Sequence, residues 1–384
     1  RRTLFWGLMR AQTTSVVIIA ALAAVIAGST IGLAALWGGT ISLIAYAWGG
    51  FQVWLHPGNR AAKRMAGAAV RAELGKIAIM LVLSVNLIDA VRYNSQRLFN
   101  QRLMDQAYWY ALGGERIAVF ALEDIAGESV VTLNQNWARK DIVFPVDGGS
   151  IAGLVEDEQA CFNVNRLYLS DEAAQSGSRS PAQQVLEGLL LNLELNPQRA
   201  AFITQRLSDW VDADFSPEGT YGAEDLTYTA ADYPYLPPNQ PLDSLSEMSL
   251  FAEFEEDEEA ALRPYLCALP EIETGLNINT LSPEDAPLLA AAIGNILAVP
   301  VVQQIIEERP EEGWATVEDF VVMLGLSEGQ PIPAELQAGL TVKSRYFRGL
   351  ADVLYEQRRL RLYSRLVLNN GKVYAYAREY GEVF

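Results

Sequence analysis

Met104-Asp-Gln-Ala-Tyr-Trp-Tyr-Ala-Leu-Gly-Gly-Glu115 joins two unlike parts of a 384-residue chain: an apolar region suited to a membrane before it and an acidic, soluble region after it. From Asn94 to about Ala126 the apolar positions Leu98, Leu103, Ala107, Tyr110, Ala111, Ile117, Phe120 and Ala121 recur at helical spacing. That spacing predicts one long helix continuing out of the apolar run Ile77 to Ile88, so the soluble part is anchored.

Upstream, Val16 to Trp37 is free of charge and long enough to cross a hydrocarbon core, and Ile41 to Leu55 forms a second, shorter run behind a turn expected at Gly38-Gly39-Thr40. A secretory signal would have a shorter core and a small-residue cleavage site. Residues 1–75 therefore read as a membrane hairpin with a basic loop. Arg1, Arg2 and Arg10 precede it, and Arg60, Lys63, Arg64, Arg71 and Lys76 follow it, which places both flanks in the cytoplasm. Ile77 to Ile88 is short for a span and is followed by Asp89, but its crossing would put everything beyond it outside the cytoplasm.

Residues 76–160 hold this apolar run, the long helix and the first strands. Ile142-Val-Phe-Pro145, the turn Asp147-Gly148-Gly149 and Ser150 to Val155 read as a hairpin. Strand alternation returns in residues 341–384, over Thr341 to Leu350, Arg361 to Leu368 and Lys372 to Ala377, the last two joined by Asn369-Asn370-Gly371. A sheet begun before 160 and finished after 340 makes 161–340 an insertion. Within it, Cys161-Phe-Asn163-Val-Asn165-Arg-Leu167 repeats as Gly275-Leu-Asn277-Ile-Asn279-Thr-Leu281, each copy leading into helices: Pro181 to Leu195 and Pro197 to Trp210, then Pro283 to Leu297 and Pro300 to Glu308. Asn-x-Asn there reads as a helix cap. The fold class is α+β: a long N-terminal helix with an antiparallel sheet, a large inserted helical domain in two related halves, and membrane helices at the N-terminus.

The net charge of −18 resides in the soluble part and disfavours a nucleic-acid partner. Cys161 and Cys267 are the two cysteines, and on the oxidising side of a membrane they are expected to form a disulfide tying the two copies together at their bases.

Between the copies lies Asp209-Trp-Val-Asp212-Ala-Asp214-Phe-Ser-Pro-Glu218-Gly-Thr-Tyr-Gly-Ala-Glu224-Asp225. Hard oxygen donors at this density, on a loop broken by Pro217, Gly219 and Gly222, suit Ca²⁺, with Asp212, Asp214, Glu224 and Asp225 as the metal ligands. The one histidine, His56, lies at the membrane boundary, which disfavours zinc and leaves no nucleophile with a base. The chain does not read as an enzyme.

Gln106-Ala-Tyr-Trp-Tyr-Ala-Leu112, Cys161-Phe-Asn-Val-Asn165, Asp209-Trp-Val-Asp-Ala-Asp214, Gly222-Ala-Glu-Asp225, Leu245-Ser-Glu247 and Leu276-Asn-Ile-Asn279 together resemble the type II secretion minor pseudopilin K family, GspK, from about Asn94 to the end. The resemblance implies a pilin-like fold with an inserted helical domain, anchorage in the inner membrane, a large periplasmic domain and calcium in the acidic loop. It also implies a place at the pseudopilus tip with the minor pseudopilins GspI and GspJ, and secreted proteins as further partners. Gly75-Lys76-Ile77 is the nearest match to the family's leader cleavage site. Gln12 to about Ser84, with Gly58-Asn-Arg-Ala-Ala-Lys-Arg64 and Arg71-Ala-Glu-Leu-Gly-Lys76, is instead similar to ATP synthase protein I. That similarity implies an alternative function, a membrane assembly factor for the rotary synthase, and a fused chain.

Overall fold

The computed structural model describes residues 2–27, 29–54, 62–140, 142–168, 179–230, 233–250, 256–326 and 331–381. They fall into two compact units, Arg1–Arg102 and Leu103–Phe384.

The first unit holds α1 (Arg2–Ala27), α2 (Ser29–Trp54) and the first part of α3 (Ala62–Asp124). α1 and α2 pack as a helical hairpin, but α1 ends at Ala27 and α2 begins at Ser29, so the chain reverses ten residues earlier than expected. Gly38, Gly39 and Thr40 lie inside α2, where Thr40 Oγ1 donates to the Leu36 carbonyl at 2.8 Å. Gly39 serves packing: a Cβ there would collide with Val16 on α1, and one on Gly32 would collide with Ala24. Apolar helices gain little from hydrophobic burial against each other in lipid, so close backbone approach at small residues is what joins them. Among the described residues one helix, Glu73–Asp124, is long and apolar enough to cross a membrane, and shorter apolar stretches run over Met9–Val25 and Gly32–Trp48. The long Val16 to Trp37 run is thus divided between two helices.

The second unit begins with the remainder of α3, continuous through Asp124 as the periodicity predicts. β1 (Ile142–Val146) and β2 (Gly149–Asp157) form the expected hairpin. The insertion follows: β3 (Phe162–Asn163), α4 (Pro181–Asn192), α5 (Pro197–Val211), α6 (Asp225–Thr229), α7 (Glu256–Leu262), β4 (Leu266–Cys267), β5 (Leu276–Asn277), α8 (Ala286–Ala292), α9 (Val299–Glu307), α10 (Val317–Met323), α11 (Ala334–Gln337) and β6 (Leu340–Thr341). β7 (Tyr346–Tyr355), β8 (Arg358–Asn369) and β9 (Lys372–Tyr380) complete an antiparallel sheet of order β1-β2-β7-β8-β9. The β8–β9 turn carries Asn370 and Gly371 at φ 50° and 75°, the paired positive angles that match the twist of a tight hairpin.

α3 lies on this sheet because its inner face is small. Ala107 and Ala111 are fully buried against Ile151, Ala351, Val353, Leu360 and Leu362, and about two turns on, Val119 and Leu122 meet Trp137, Phe347, Leu366 and Val373. Glu115 on the same helix reaches across to Ser364 (2.5 Å) and Arg378 (2.6 and 2.9 Å).

The alternation from Thr341 to Leu350 turns out to serve two structures. Leu340–Thr341 pairs with β5, and the sheet strand starts only at Tyr346. The residues between hold the insertion to the sheet: Ser344 Oγ donates to Asp157 Oδ2 at 2.5 Å and the Arg345 amide to Gln159 Oε1 at 2.7 Å.

Each half of the insertion is closed by a two-residue parallel ladder, β3 with β4 and β5 with β6. The Asn-x-Asn segments sit at these ladders and do more than cap. The first Asn accepts the amide of the second, Asn165 N to Asn163 Oδ1 at 3.2 Å and Asn279 N to Asn277 Oδ1 at 3.0 Å. The second Asn grips both backbone groups of a distant residue: Asn165 holds Leu242 (2.7 and 2.9 Å) and Asn279 holds Trp314 (2.8 and 2.9 Å). Cys161 and Cys267 are disulfide-bonded, with Cα atoms 5.9 Å apart. Cys267 stands on β4 beside β3, so the bond closes the first half upon itself and does not tie the two copies to each other.

Candidate metal centre in the acidic loop

α5 carries the chain into the acidic loop. Its side chains from Ala200 through Ile203, Leu207, Trp210 and Val211 are buried at helical spacing, so Asp209 is carried into the interior with them. Asp209 is fully buried and organises the loop through its carboxylate, which accepts the amides of Glu218 (3.0 and 3.2 Å) and Ala223 (2.6 Å). Gly222 is needed at that crossing, since a Cβ would overlap both the Asp209 carboxylate and the Glu218 amide. Burial above all, and then the charges of Asp212 and Glu224, push the Asp209 pKa up to about 8.

Beyond the helix the loop folds back so that Asp212, Asp214 and Glu224 converge, with a ligand oxygen of each within 4.8 Å of the others. Three of the four expected ligands are thus brought together. Asp225 is not in this group; it is the first residue of the short helix α6, half-buried, and adds its charge to the surroundings of Glu224. Asp214 also shapes the loop, its Oδ1 accepting the Ser216 amide at 2.7 Å.

Glu224 is 3% exposed, and neither of its carboxylate oxygens has a hydrogen-bond partner. Burial first, then the charges of Asp212 and Asp214, raise its pKa to about 8; Asn239 stands near enough to soften the effect without making a hydrogen bond of normal geometry. Two ionised carboxylates at such a separation repel by about 3 kcal/mol even at an effective dielectric constant of 20. A set of this kind is stable either protonated or around a cation. Its donors are all oxygen, which fits a hard divalent ion of the calcium type, whose irregular shell of six to eight oxygens a bent loop can supply.

The loop holds a definite place in the repeat. In the second half, Trp314 follows α9 by a few residues; in the first, the equivalent clamped residue, Leu242, is reached from α5 only through the whole acidic stretch. The candidate centre is therefore built into an expansion of one of the two related hairpins.

Two family models described as type II secretion system (T2SS), protein K match residues 160–271 and 276–343, which are the two halves of the insertion. The type II secretion system protein K of Aeromonas hydrophila is 33% identical over 303 residues, covering 76% of this chain and 90% of that protein. The protein of the same name from Klebsiella pneumoniae is 35% identical over 308 residues, 77% and 92% of the two chains. The chain belongs to the type II secretion system protein K family. A crystal structure of the GspK-GspI-GspJ complex from enterotoxigenic Escherichia coli shares its fold with TM-score 0.66 and 29% identity, over 75% of this chain and 100% of that one. The α+β fold with a long helix and an inserted helical domain is thus that of protein K. The rotary-synthase alternative finds no support in these relatives.

Asn239 escaped the sequence reading. It is uncharged and lies 25 residues beyond Asp214, past Pro234, Pro237 and Pro238, yet its Nδ2 donates to the Asp214 carbonyl at 2.8 Å. Only the folded loop reveals that contact.

Proposed function

We propose that this chain is a minor pseudopilin that ends the periplasmic pseudopilus, anchored in the inner membrane with its large domain in the periplasm, and assembled with pseudopilins I and J for the export of folded proteins. Its role is one of shape rather than turnover. The observation that carries the reading is where the insertion sits. The segment leaving α3 is held at the base of the insertion: the Val131 amide donates to the carbonyl of Val342, just past the insertion, at 2.9 Å, and Asn277 Nδ2 within it donates to the Val131 carbonyl at 3.2 Å. In a helical filament built by repeating one contact between like subunits, a bulky domain beyond the end of the long helix leaves no room for the next subunit there.

The acidic loop belongs to the same proposal as a calcium site. Asp212, Asp214 and Glu224 would hold the ion, with Asp225 adding charge close by, and the positive charge supplied there would relieve their repulsion. The connection from Asp209 to Ser246 would then be fixed against α5 and the Asn165 clamp.

Electron microscopy of filaments reconstituted with the full-length, gold-labelled chain and its companion pseudopilins tests the placement. Label confined to one end is expected. Label at regular internal positions would refute it.

A further inference from the structure

We propose that the joint between the inserted domain and the sheet is a proton-operated latch, in which the Asp157 carboxyl takes up one proton on Oδ2 and grips the insertion more tightly for it. The latch works wherever the chain sits in a filament and whether or not the acidic loop binds a cation.

Three stretches of chain meet on one oxygen. Asp157 is the last residue of β2, where the chain leaves the sheet, and Ser344 lies just before β7, where it returns; Asn277 and Thr280 open the second half. Asp157 Oδ2 accepts from Ser344 Oγ (2.5 Å), Thr280 Oγ1 (2.6 Å) and Asn277 Nδ2 (3.2 Å), and Oδ1 accepts the Gln159 amide (2.8 Å). As a whole residue Asp157 is half-buried, but its carboxyl end is enclosed by these four donors. The first half has no counterpart. There Asn163 Nδ2 donates to the Thr274 hydroxyl and the Glu271 carbonyl, both at 2.9 Å, and Arg166 stands where the second half has Thr280. The carboxylate therefore belongs to the joint with the sheet and not to the repeat.

Both protonation states keep their partners. Ser344 Oγ receives a hydrogen from Asn277 Nδ2 at 2.7 Å, which turns its own hydrogen toward Asp157. Thr280 Oγ1 has one hydrogen and two acceptors in reach, Asp157 Oδ2 and the Asn277 carbonyl at 3.2 Å. With the carboxylate ionised, that hydrogen serves Asp157. With a proton from solvent on Oδ2, the carboxyl donates to Thr280, and the Thr280 hydroxyl turns to the Asn277 carbonyl. The charged side chains on the segments that meet here are Glu158, Arg309, Lys343 and Arg345. Arg309 donates to the Ile278 and Leu281 carbonyls at 3.3 and 2.7 Å, Arg345 pairs with Glu271 at 2.8 Å, and no cation is among the groups bonded to Asp157. Burial accordingly outweighs the four donors and holds the carboxyl above its ordinary value. The folded joint binds the proton more tightly than the unfolded chain does, so its grip is constant above the folded value and strengthens as pH falls from there toward the ordinary aspartate value of about 4.

Hydrogen exchange on the detergent-solubilised full-length chain, corrected for intrinsic rates and followed from about pH 8 to about pH 5, tests this. The amides of Val131, Asn277 and Tyr346 bond across the joint, to the Val342 carbonyl, the Gln159 carbonyl and Gln159 Oε1, and the β8–β9 ladder serves as reference. Protection at the joint relative to the reference is expected to rise as pH falls, by at most about tenfold per pH unit, the limit for one proton. Asp157→Asn, which carries its own hydrogen toward Thr280 at every pH, should flatten the rise. Thr280→Val, which can accept nothing, should flatten it too, while Thr280→Ser should keep it. A wild-type ratio that is constant with pH would overturn the latch, and a rise that survives undiminished in Asp157→Asn would assign the proton to another group, Glu158 first. Should Asp157→Asn fail to fold, equal rises in Thr280→Val and Thr280→Ser would overturn the latch by themselves.

Discussion

Asn165 and Asn279 make the same two-point grip, each holding both the amide and the carbonyl of one distant residue, Leu242 and Trp314 respectively. Both asparagines are fully buried, so truncating either strands at least one backbone donor and one acceptor away from water. Asn279→Ala is expected to cost about 2–6 kcal/mol of stability, from two unsatisfied buried groups at about 1–3 kcal/mol each. Asn165→Ala should cost at least as much, because Asn165 Nδ2 also donates to the Leu269 carbonyl at 2.9 Å and its loss strands that third group as well. Denaturant unfolding of the two variants checks both the size and the order of the effects.

The helix ends of the two halves share a bonding pattern but differ in the residues that carry it. α4 and α8 both close with paired bonds, Leu195 N to Leu190 O with Glu194 N to Leu191 O, and Asn295 N to Ala290 O with Gly294 N to Ala291 O. The first left-handed position is Glu194 (φ 66°) in the first half and Gly294 (φ 81°) in the second, where Asn295 (φ 54°) continues it. A side chain at that angle costs about 1 kcal/mol relative to glycine. Glu194→Gly should therefore raise the stability of the insertion by roughly that amount less the entropy glycine loses on folding. A melting temperature that falls would show that Glu194 has a role the backbone does not reveal.

Much of this architecture is legible in the chain because period and punctuation agree. The long helix, the hairpin at Asp147-Gly148-Gly149 and the split sheet all follow from patterns of 3.6 or 2 with glycine turns between them. The hairpin reversal at the N-terminus failed for a definite reason. Glycine pairs mark turns in water, but Gly39 sits at a helix contact, where the absence of a side chain serves packing. The ladders β3–β4 and β5–β6 are two residues long and join segments far apart, so no local pattern announces them. At the acidic loop, the charges disclosed Asp212, Asp214 and Glu224, while the separation of Asp225 from them depends on where α6 begins.

The disulfide closes a loop of 106 residues that contains the whole first half. Chain-entropy arguments assign a closure of that length about 4–5 kcal/mol. Because Cys267 pairs in register with Asn163, reduction should free the β3–β4 ladder and leave β5–β6 intact. Hydrogen exchange on the reduced protein is expected to show lost protection at Phe162 to Leu167 and Leu266 to Leu269, with Leu276 to Ile278 unchanged. Uniform loss across both halves would mean that they unfold together.

If the acidic loop holds the proposed cation, its removal should act on a narrower region. With a chelator present, exchange is expected to rise first between Asp212 and Leu242, while α5 up to Trp210 stays protected by its buried face. Unchanged exchange in the loop on chelation would count against a cation there.

Acid should weaken both the pairing of β7 with β8 and the joint between the long helix and the sheet. The Arg359 guanidinium on β8 holds the Asp352 carboxyl on β7 below its ordinary value, with Arg361 assisting; for Glu115 on the long helix burial is the largest influence and pushes upward, but Arg378 and Ser364 together outweigh it. Both folded values lie below the unfolded ones, so the unfolded chain binds more protons in the window between them. The stabilisation is complete above the unfolded carboxylate range near pH 4 and is lost as pH falls through the folded values. Asp157 and Glu158, which burial holds above their ordinary values, act in the opposite sense, so the wild-type curve alone is not decisive. The difference between wild type and Asp352→Asn isolates one group. It should be constant from about pH 7 to 5 and shrink toward pH 3, and added salt should reduce it, because Arg359 is largely exposed. A difference that does not change with pH would mean that the Asp352 contacts act through packing rather than through charge.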